Sequence, residues 1–135
     1  MKQVFHPWTE WECYHAGMYD GKTALSSDEA KQAYAAFLRD IPRFIAAMHR
    51  VVKEWPVSCE HFLTNPNINR VAWLGQASMC IETGLSRKHR SGFMLMSEDE
   101  CRAANKAAQD VLNEWTDARE NRKLHKPVEA PRLFA

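Results

Sequence analysis

The clearest structural signal in the sequence is the segment Ser97-Glu-Asp-Glu-Cys-Arg-Ala-Ala-Asn-Lys-Ala-Ala-Gln-Asp-Val-Leu-Asn-Glu-Trp115. Ser97 and Glu100 have the spacing of a capping box, in which a serine hydroxyl and a glutamate carboxylate satisfy the backbone N–H groups at the start of a helix. Apolar side chains then recur in steps of three and four at Cys101, Ala104, Ala108, Val111, Trp115 and Ala118. This spacing is typical of a long helix that packs one face in a bundle.

The same signals predict two more helices upstream. A second capping box, Ser26-Ser-Asp-Glu29, precedes another apolar stripe at helical spacing. Asp40 and Pro42 follow, and they predict a break because proline is tolerated in the first turn of a helix but not in its interior. A further apolar stripe covers residues 44–55 and stops at Pro56.

The middle of the chain carries shorter signals. A short turn is predicted over residues 58–63, with Ser58 as its cap. A helix is predicted over residues 67–83, with Asn67 as its cap and Gly84 after its end, because glycine readily adopts the left-handed conformation that ends a helix.

These elements predict an all-α fold, because no segment shows a sustained two-residue alternation of apolar and polar side chains. We expect a single compact bundle of five or six helices over residues 1–125, including an N-terminal helix over residues 9–18. Residues 126–135, which contain two prolines, are predicted to form an extended C-terminal arm. The core is expected to unite Leu38, Phe44, Met48, Val52, Leu74, Val111 and Trp115.

Composition narrows the functional classes. The chain has 135 residues and a net charge of +1, so no strong overall field attracts it to nucleic acid or to a membrane. It has no apolar stretch of about 18 residues and no apolar run of a secretory signal near its start, so neither a membrane span nor secretion is expected. The four cysteines are widely spread, which predicts thiols rather than disulfides and a cytoplasmic location.

A polar and aromatic run over residues 65–76, Asn-Pro-Asn-Ile-Asn-Arg-Val-Ala-Trp-Leu-Gly-Gln, is the first candidate site. Amide and guanidinium groups beside apolar surface need partners, because an unpaired buried polar group is destabilising. We expect several of these groups to meet the N-terminal helix, in a cluster of His15, Glu60, His61, Asn69, Arg70, Trp73 and Gln76. Either an internal polar network or a ligand could satisfy such a cluster.

The N-terminal tryptophans extend this candidate surface. Trp8 and Trp11 are three residues apart, so both rings are expected on one side of the chain. They could hold the terminus on the core, or they could bind a partner, because tryptophan is frequent among the residues that dominate interface energies. The predicted partner-binding residues are therefore Trp8, Trp11, His15, Asn69, Arg70, Trp73 and Gln76.

A metal site is a second interpretation. Glu12 and His15 have a spacing of three residues, which occurs in di-metal helical bundles. Together with Cys59 and His61 they could hold zinc or iron in a small metal-dependent enzyme or sensor. Cys59 could also act as a nucleophile with His61, although no nucleophile signature surrounds it.

A basic segment offers a third interpretation. Arg87, Lys88 and Arg90 lie between two glycines, where they could contact the phosphates of a nucleic acid. No helix-turn-helix, zinc-finger or RNA-binding signature accompanies them.

The leading functional hypothesis is a small cytoplasmic protein-interaction module. An adaptor, regulator or inhibitor that acts by surface contact, such as those carried by phages or mobile elements, fits the small size, the high tryptophan content and the near-neutral charge. No catalytic residue is assigned, since no catalytic motif is present, and no cofactor is expected. Another protein is the expected partner, and the oligomeric state stays open.

Overall fold

The computed structural model describes residues 8–15, 25–85 and 92–129, with the main chain alone for His15 and for residues 124–129. Over these ranges the chain forms six helices and no strand: α1 (Glu10–His15), α2 (Ser27–Arg39), α3 (Ile41–Glu54), α4 (Pro56–Leu63), α5 (Arg70–Thr83) and α6 (Glu98–Glu129). The predicted all-α bundle of five or six helices is confirmed. None of these six helices is long and apolar enough to cross a membrane.

Both predicted capping boxes form. The N–H of Ser26 donates to Glu29 Oε1 at 3.0 Å, and the N–H of Glu29 donates back to Ser26 Oγ at 3.2 Å. At the start of α6, Ser97 and Glu100 make the same pair of bonds at 2.8 and 3.1 Å. Each box satisfies two backbone donors that a helix start would otherwise leave without partners.

Two further predicted helix boundaries also occur, at Asp40 and at Gly84. Asp40 separates α2 from α3: its N–H bonds to the end of α2, and its carboxylate accepts the N–H of Arg43 in the first turn of α3. Gly84 ends α5 with a φ of 80°, in the left-handed region that favours glycine.

Two predicted caps are wrong. Asn69, not Asn67, caps α5, because its side-chain oxygen accepts the N–H of Ala72 at 3.0 Å. The N–H of Asn67 bonds instead to the Asn65 side chain at 2.9 Å, in a turn before the helix. Ser58 is not a cap either, since α4 begins at Pro56 and Ser58 lies buried in its first turn.

The core lies around α5, which α3 and α6 both contact. Most of α5 from Trp73 to Thr83 is buried, so this helix is central rather than amphipathic. Of the predicted core residues, Val52 and Trp115 lie half-buried at its edge, and the buried ones are Leu38, Phe44, Met48, Leu74 and Val111. Trp115 packs against the edge of the core, and the guanidinium of Arg119 lies over its ring, 5.9 Å from the ring centroid.

The two ends of the described chain differ in part from the predicted boundaries. α6 has 32 residues and reaches Glu129, so residues 126–129, where the sequence placed the start of an extended arm, are helical. Residues 130–135 lie outside the described part. At the other end, α1 is described as far as His15, and the predicted continuation over residues 16–18 lies outside the described part.

Candidate functional site

The first described residue, Trp8, holds the N-terminal segment on the core. Its indole Nε1 donates to the main-chain oxygen of Gly84 at 3.0 Å, and its own N–H donates to the Cys80 oxygen at 3.3 Å. Trp8 is 3% exposed, whereas Trp11 is 69% exposed. The sequence left open whether these two rings hold the terminus on the core or bind a partner. Trp8 is buried on the core and is removed from any partner surface, whereas Trp11 is left accessible.

An aromatic cluster buries a second tryptophan of the predicted partner surface. Trp73 stacks on Phe62 with their ring centroids 4.9 Å apart, and Tyr14 of α1 meets the same Phe62 edge-on at 6.0 Å. His61 contacts Tyr14 and Phe62 with centroid distances of 5.0 and 4.7 Å. Trp73 therefore joins α5 to α4 and α1 instead of offering its ring to a partner.

The carboxylate of Glu60 faces α6 rather than the N-terminal helix. Glu60 accepts hydrogen bonds from Arg119 Nε at 3.0 Å and from Arg119 Nη2 at 2.6 Å. The hydrogen bond from Arg119 is the main cause of a lowered pKa for the Glu60 carboxyl group. The residues expected in one polar cluster thus divide: Glu60 pairs with α6, His61 and Trp73 join the aromatic cluster, and the side chain of His15 lies outside the described part.

The proposed metal ligands have other partners. Glu12 forms a third capping box with Thr9, with bonds of 2.9 and 3.2 Å, a Thr-x-x-Glu pattern that the sequence analysis missed. Cys59 is buried and donates to the Val51 oxygen at 3.7 Å, while His61 lies against rings. No group of three or more metal-ligating side chains occurs within the described residues.

The interior position of Cys59 also opposes its use as a nucleophile. Burial raises the pKa of this thiol to about 12, and the negative charge of nearby Glu10 acts in the same direction. Because the thiolate is the reactive form, a thiol with so high a pKa is inert at neutral pH.

Asn69 and Gln76 line a cleft of about 890 Å³ between α5 and α6. Asn105 and Gln109 of α6 face them across it, so both walls present amide groups. Apolar and small side chains complete the lining, among them Tyr34, Leu38, Phe44, Val71, Ala72, Gly75, Ala104 and Ala108. Arg70, the remaining predicted residue of this run, is exposed at the start of α5.

An apolar turn, Phe93-Met94-Leu95, borders this cleft. These three residues are 47%, 75% and 50% exposed, in a 3₁₀ turn over residues 92–95. Phe93 also belongs to the cleft lining, so the apolar turn and the cleft form one continuous surface. This feature is the strongest candidate site in the described part of the chain.

The main chain of the apolar turn is fixed against α2. Gly92 packs so closely there that a Cβ at this position would lie 2.8 Å from the Cβ of Tyr34 and would overlap the Lys31 main-chain oxygen. Arg39, at the end of α2, donates from Nη2 to the Leu95 oxygen at 3.0 Å. These contacts hold both ends of the turn on one helix.

Contacts from α6 and within the turn fix it further. The thiol of Cys101 donates to the Phe93 oxygen at 3.7 Å, and the N–H of Met96 donates to the same oxygen at 3.0 Å. Arg39 Nε also lies 3.3 Å from Glu100 Oε1, which links the side chain that holds Leu95 to the start of α6. The apolar side chains therefore project from a well-fixed backbone.

The sequence contains a signal for this surface, but the spacing of apolar residues alone does not interpret it. Gly92 is followed by four apolar residues, Phe-Met-Leu-Met, and such a run ordinarily predicts burial. Their exposure depends on the contacts of Gly92 and Arg39 with other parts of the fold, which local spacing does not reveal. The predicted phosphate-binding residues Arg87, Lys88 and Arg90 lie outside the described part.

Comparison with known proteins gives no match: no protein-family model, no curated protein and no solved structure is similar to this chain.

Proposed function

We propose that this protein is a small interaction module that acts by surface contact with another polypeptide chain, and that the apolar turn and the adjacent cleft are its contact surface. The observation that carries the proposal is the exposure of three consecutive large apolar side chains, Phe93, Met94 and Leu95, on a fixed backbone. At roughly 200 Å² for a residue of this size, their exposed fractions amount to roughly 350 Å². A contiguous apolar patch of this size is often a functional surface on a soluble protein.

The fixed backbone supports a role in binding. A flexible loop would lose conformational freedom when it docked, whereas a turn already held by Arg39 and Cys101 loses little. Methionine, the most exposed of the three residues, is unbranched and polarizable, so it adapts to the irregular surface of a partner. The turn thus combines a fixed position with adaptable side chains.

The lining of the cleft supports a polypeptide as the partner. The amide of Asn105 can donate and accept hydrogen bonds, as a peptide main chain requires, and Gln109, whose Nε2 donates to Asn113 Oδ1 at 3.0 Å, adds a carbonyl oxygen. Lys106, the cation in the lining, pairs with Asp110 at 2.9 Å, so the cleft carries little net charge. A mainly apolar cleft with neutral hydrogen-bonding groups suits an uncharged or amphipathic segment better than a phosphate.

An adaptor, regulator or inhibitor is the kind of protein that this proposal implies. Trp11 of α1 and Val57 of α4 are also exposed apolar residues, each lying singly on the surface rather than in the apolar turn. The four cysteines are thiols, and those other than Cys101 are buried, which supports a reducing compartment such as the cytoplasm.

Site-specific photo-crosslinking in the cells that produce the protein tests this proposal. A photoreactive amino acid replaces Met94 in one variant and Lys53, an exposed residue of α3, in a matched control. We expect a discrete crosslinked product from position 94, and none of the same mass from position 53. Absence of any specific product from position 94 would contradict the proposed function.

A further inference from the structure

We propose that Arg39 is the positioning residue of the contact surface: its side chain holds the apolar turn outward and keeps it from folding onto the adjacent cleft. The inference rests on the proposed function, because it names the residue that keeps the same surface accessible to a partner. It adds a second position of the turn, in which Met94 and Leu95 lie over the cleft and cannot be reached by a partner.

The driving force for this closure is the exposed apolar surface itself. Met94 and Leu95 are 75% and 50% exposed beside a cleft with a mainly apolar lining. Burial of apolar surface is favourable, and the cleft volume of about 890 Å³ exceeds that of either side chain. Phe93, which precedes them in the turn, already lies in the cleft lining. The outward position of the next two side chains therefore depends on contacts that oppose the same movement.

Arg39 makes a contact of this kind at the end of the turn. Its Nη2 donates to the Leu95 oxygen at 3.0 Å, and its Nε lies 3.3 Å from Glu100 Oε1. Because the guanidinium presents its N–H groups in a rigid planar fork, these two contacts fix the Leu95 main chain relative to α2 and to the first turn of α6. Glu100 is itself held, since its Oε1 accepts the N–H of Ser97 at 2.8 Å. A Leu95 that turned over the cleft would lose its bond to Arg39.

The residues on either side of this span are fixed by other contacts. Gly92 packs closely against α2, and Met96 packs against the core. Between them, the Leu95 oxygen accepts from the charged donor Arg39, and charge-assisted hydrogen bonds are stronger than neutral ones. Loss of this bond therefore frees Met94 and Leu95 to turn, while the two flanks and the helices stay in place.

Two accessibility measurements on the purified full chain test the inference without a partner. Oxidation by hydroxyl radicals reports on Met94, and a chromogenic disulfide reagent reports on Cys101, which is partly exposed and lines the cleft. Arg39→Gln removes both the charge and the fork, whereas Arg39→Lys retains the charge without the fork. Arg102→Gln is the matched control, since Arg102 is an exposed arginine that pairs with Glu98 within α6 at 3.5 Å.

We expect both reactions to slow by about tenfold in Arg39→Gln, because loss of a charged hydrogen bond shifts an equilibrium between two positions by at least this factor. Arg39→Lys should slow them by a smaller factor, and Arg102→Gln should leave them unchanged. A merely structural role of Arg39 gives the opposite sign, since a loosened turn exposes Met94 and Cys101 further.

Unchanged or faster reaction of Met94 and Cys101 in Arg39→Gln would overturn the inference. Thermal melts establish that each variant folds, and if Arg39→Gln does not, the sign of the change in Arg39→Lys decides in the same way. Crosslinking from position 94 of the unmodified protein is a separate result, so the proposed function can stand or fail independently of Arg39.

Discussion

The indole N–H of Trp8 donates a hydrogen bond of 3.0 Å to the main-chain oxygen of Gly84, 76 residues later in the chain. The contact lies where α5 ends, so it satisfies a carbonyl group just beyond the helix. It also attaches the segment that leads into α1 to the most buried helix of the bundle. One tryptophan thus provides packing and a buried polar contact.

Substitution of Trp8 measures how much this contact contributes to the free energy of unfolding. Trp8→Phe retains the ring but removes the donor, and it should lower the free energy of unfolding by about 1–2 kcal/mol because the buried carbonyl loses its partner. Trp8→Ala should cost about 3–5 kcal/mol, since it also leaves a cavity. Urea unfolding provides the measurement, and Trp11→Ala, at an exposed position, should change stability by less than about 0.5 kcal/mol. Equal effects of the two alanine substitutions would contradict the described packing.

Replacing each of the two glycines of the candidate surface with alanine should have opposite effects on the stability of the fold. Gly92→Ala should destabilise the fold by about 1–3 kcal/mol, because the new methyl group overlaps the main chain of α2. Gly75→Ala should stabilise it by up to about 1 kcal/mol, since Gly75 lies inside α5 and a Cβ added there would lie 3.7 Å from a Phe44 ring atom, an ordinary contact distance. Thermal unfolding of both variants gives the comparison. Destabilisation of the same size in both would show that Gly92 is not in close contact with α2.

The four thiols should differ sharply in reactivity. Cys101 is partly exposed, whereas the other three are buried, and burial raises the pKa of Cys59 to about 12. A chromogenic disulfide reagent should therefore modify one cysteine per folded chain at pH 8, and all four after denaturation. Peptide mapping should place the label on Cys101. Rapid labelling of Cys59 in the folded protein would exclude the buried position described for it.

Low pH should weaken the ion pair between Glu60 of α4 and Arg119 of α6. The hydrogen bond from Arg119 lowers the pKa of the Glu60 carboxyl group in the folded state, so the pair contributes fully above the unfolded pKa of about 4.3. Its contribution disappears as the pH falls through the lower folded value. Glu60→Gln should therefore reduce the melting temperature slightly at pH 7 and have less effect near pH 3, because exposed ion pairs are weak.

A double-mutant cycle provides the control for this acid effect. Arg119→Gln alone should produce a similar pH dependence, and the double variant should lose little more than either single variant. Additive losses at pH 7 would indicate that the two side chains do not interact.

Local signals predicted most helix boundaries, and tertiary contacts account for what they missed. Ser26 and Ser97 could be identified as caps because each capping box depends only on residues three positions away. Asn67 was a wrong choice because Asn65 bonds to its N–H, and a run of three alternating asparagines does not distinguish which one caps α5. The end of α6 was also predicted wrongly. Two prolines indicated an extended arm from residue 126, but residues 126–129 are helical.

The candidate site was predictable only in part. Asn69 and Gln76 were singled out from the sequence, and both line the cleft. Trp73 lies between them in the sequence, but its ring stacks on Phe62 and does not line the cleft. The rotation of α5 relative to its neighbours decides which side each residue faces. The exposure of Met94 was beyond local analysis, since it depends on the packing of Gly92 against a helix about 60 residues earlier in the chain.

Oxidative footprinting of methionines tests the central claim, that another polypeptide chain covers the apolar turn in the cell. Hydroxyl radicals oxidise exposed methionine to the sulfoxide, and the fully buried Met48 and Met79 are internal standards. In dilute purified protein Met94 should oxidise rapidly while the two standards stay protected. In intact cells that produce the protein, Met94 should become protected. Equal oxidation of Met94 in the dilute protein and in the cell would contradict the account.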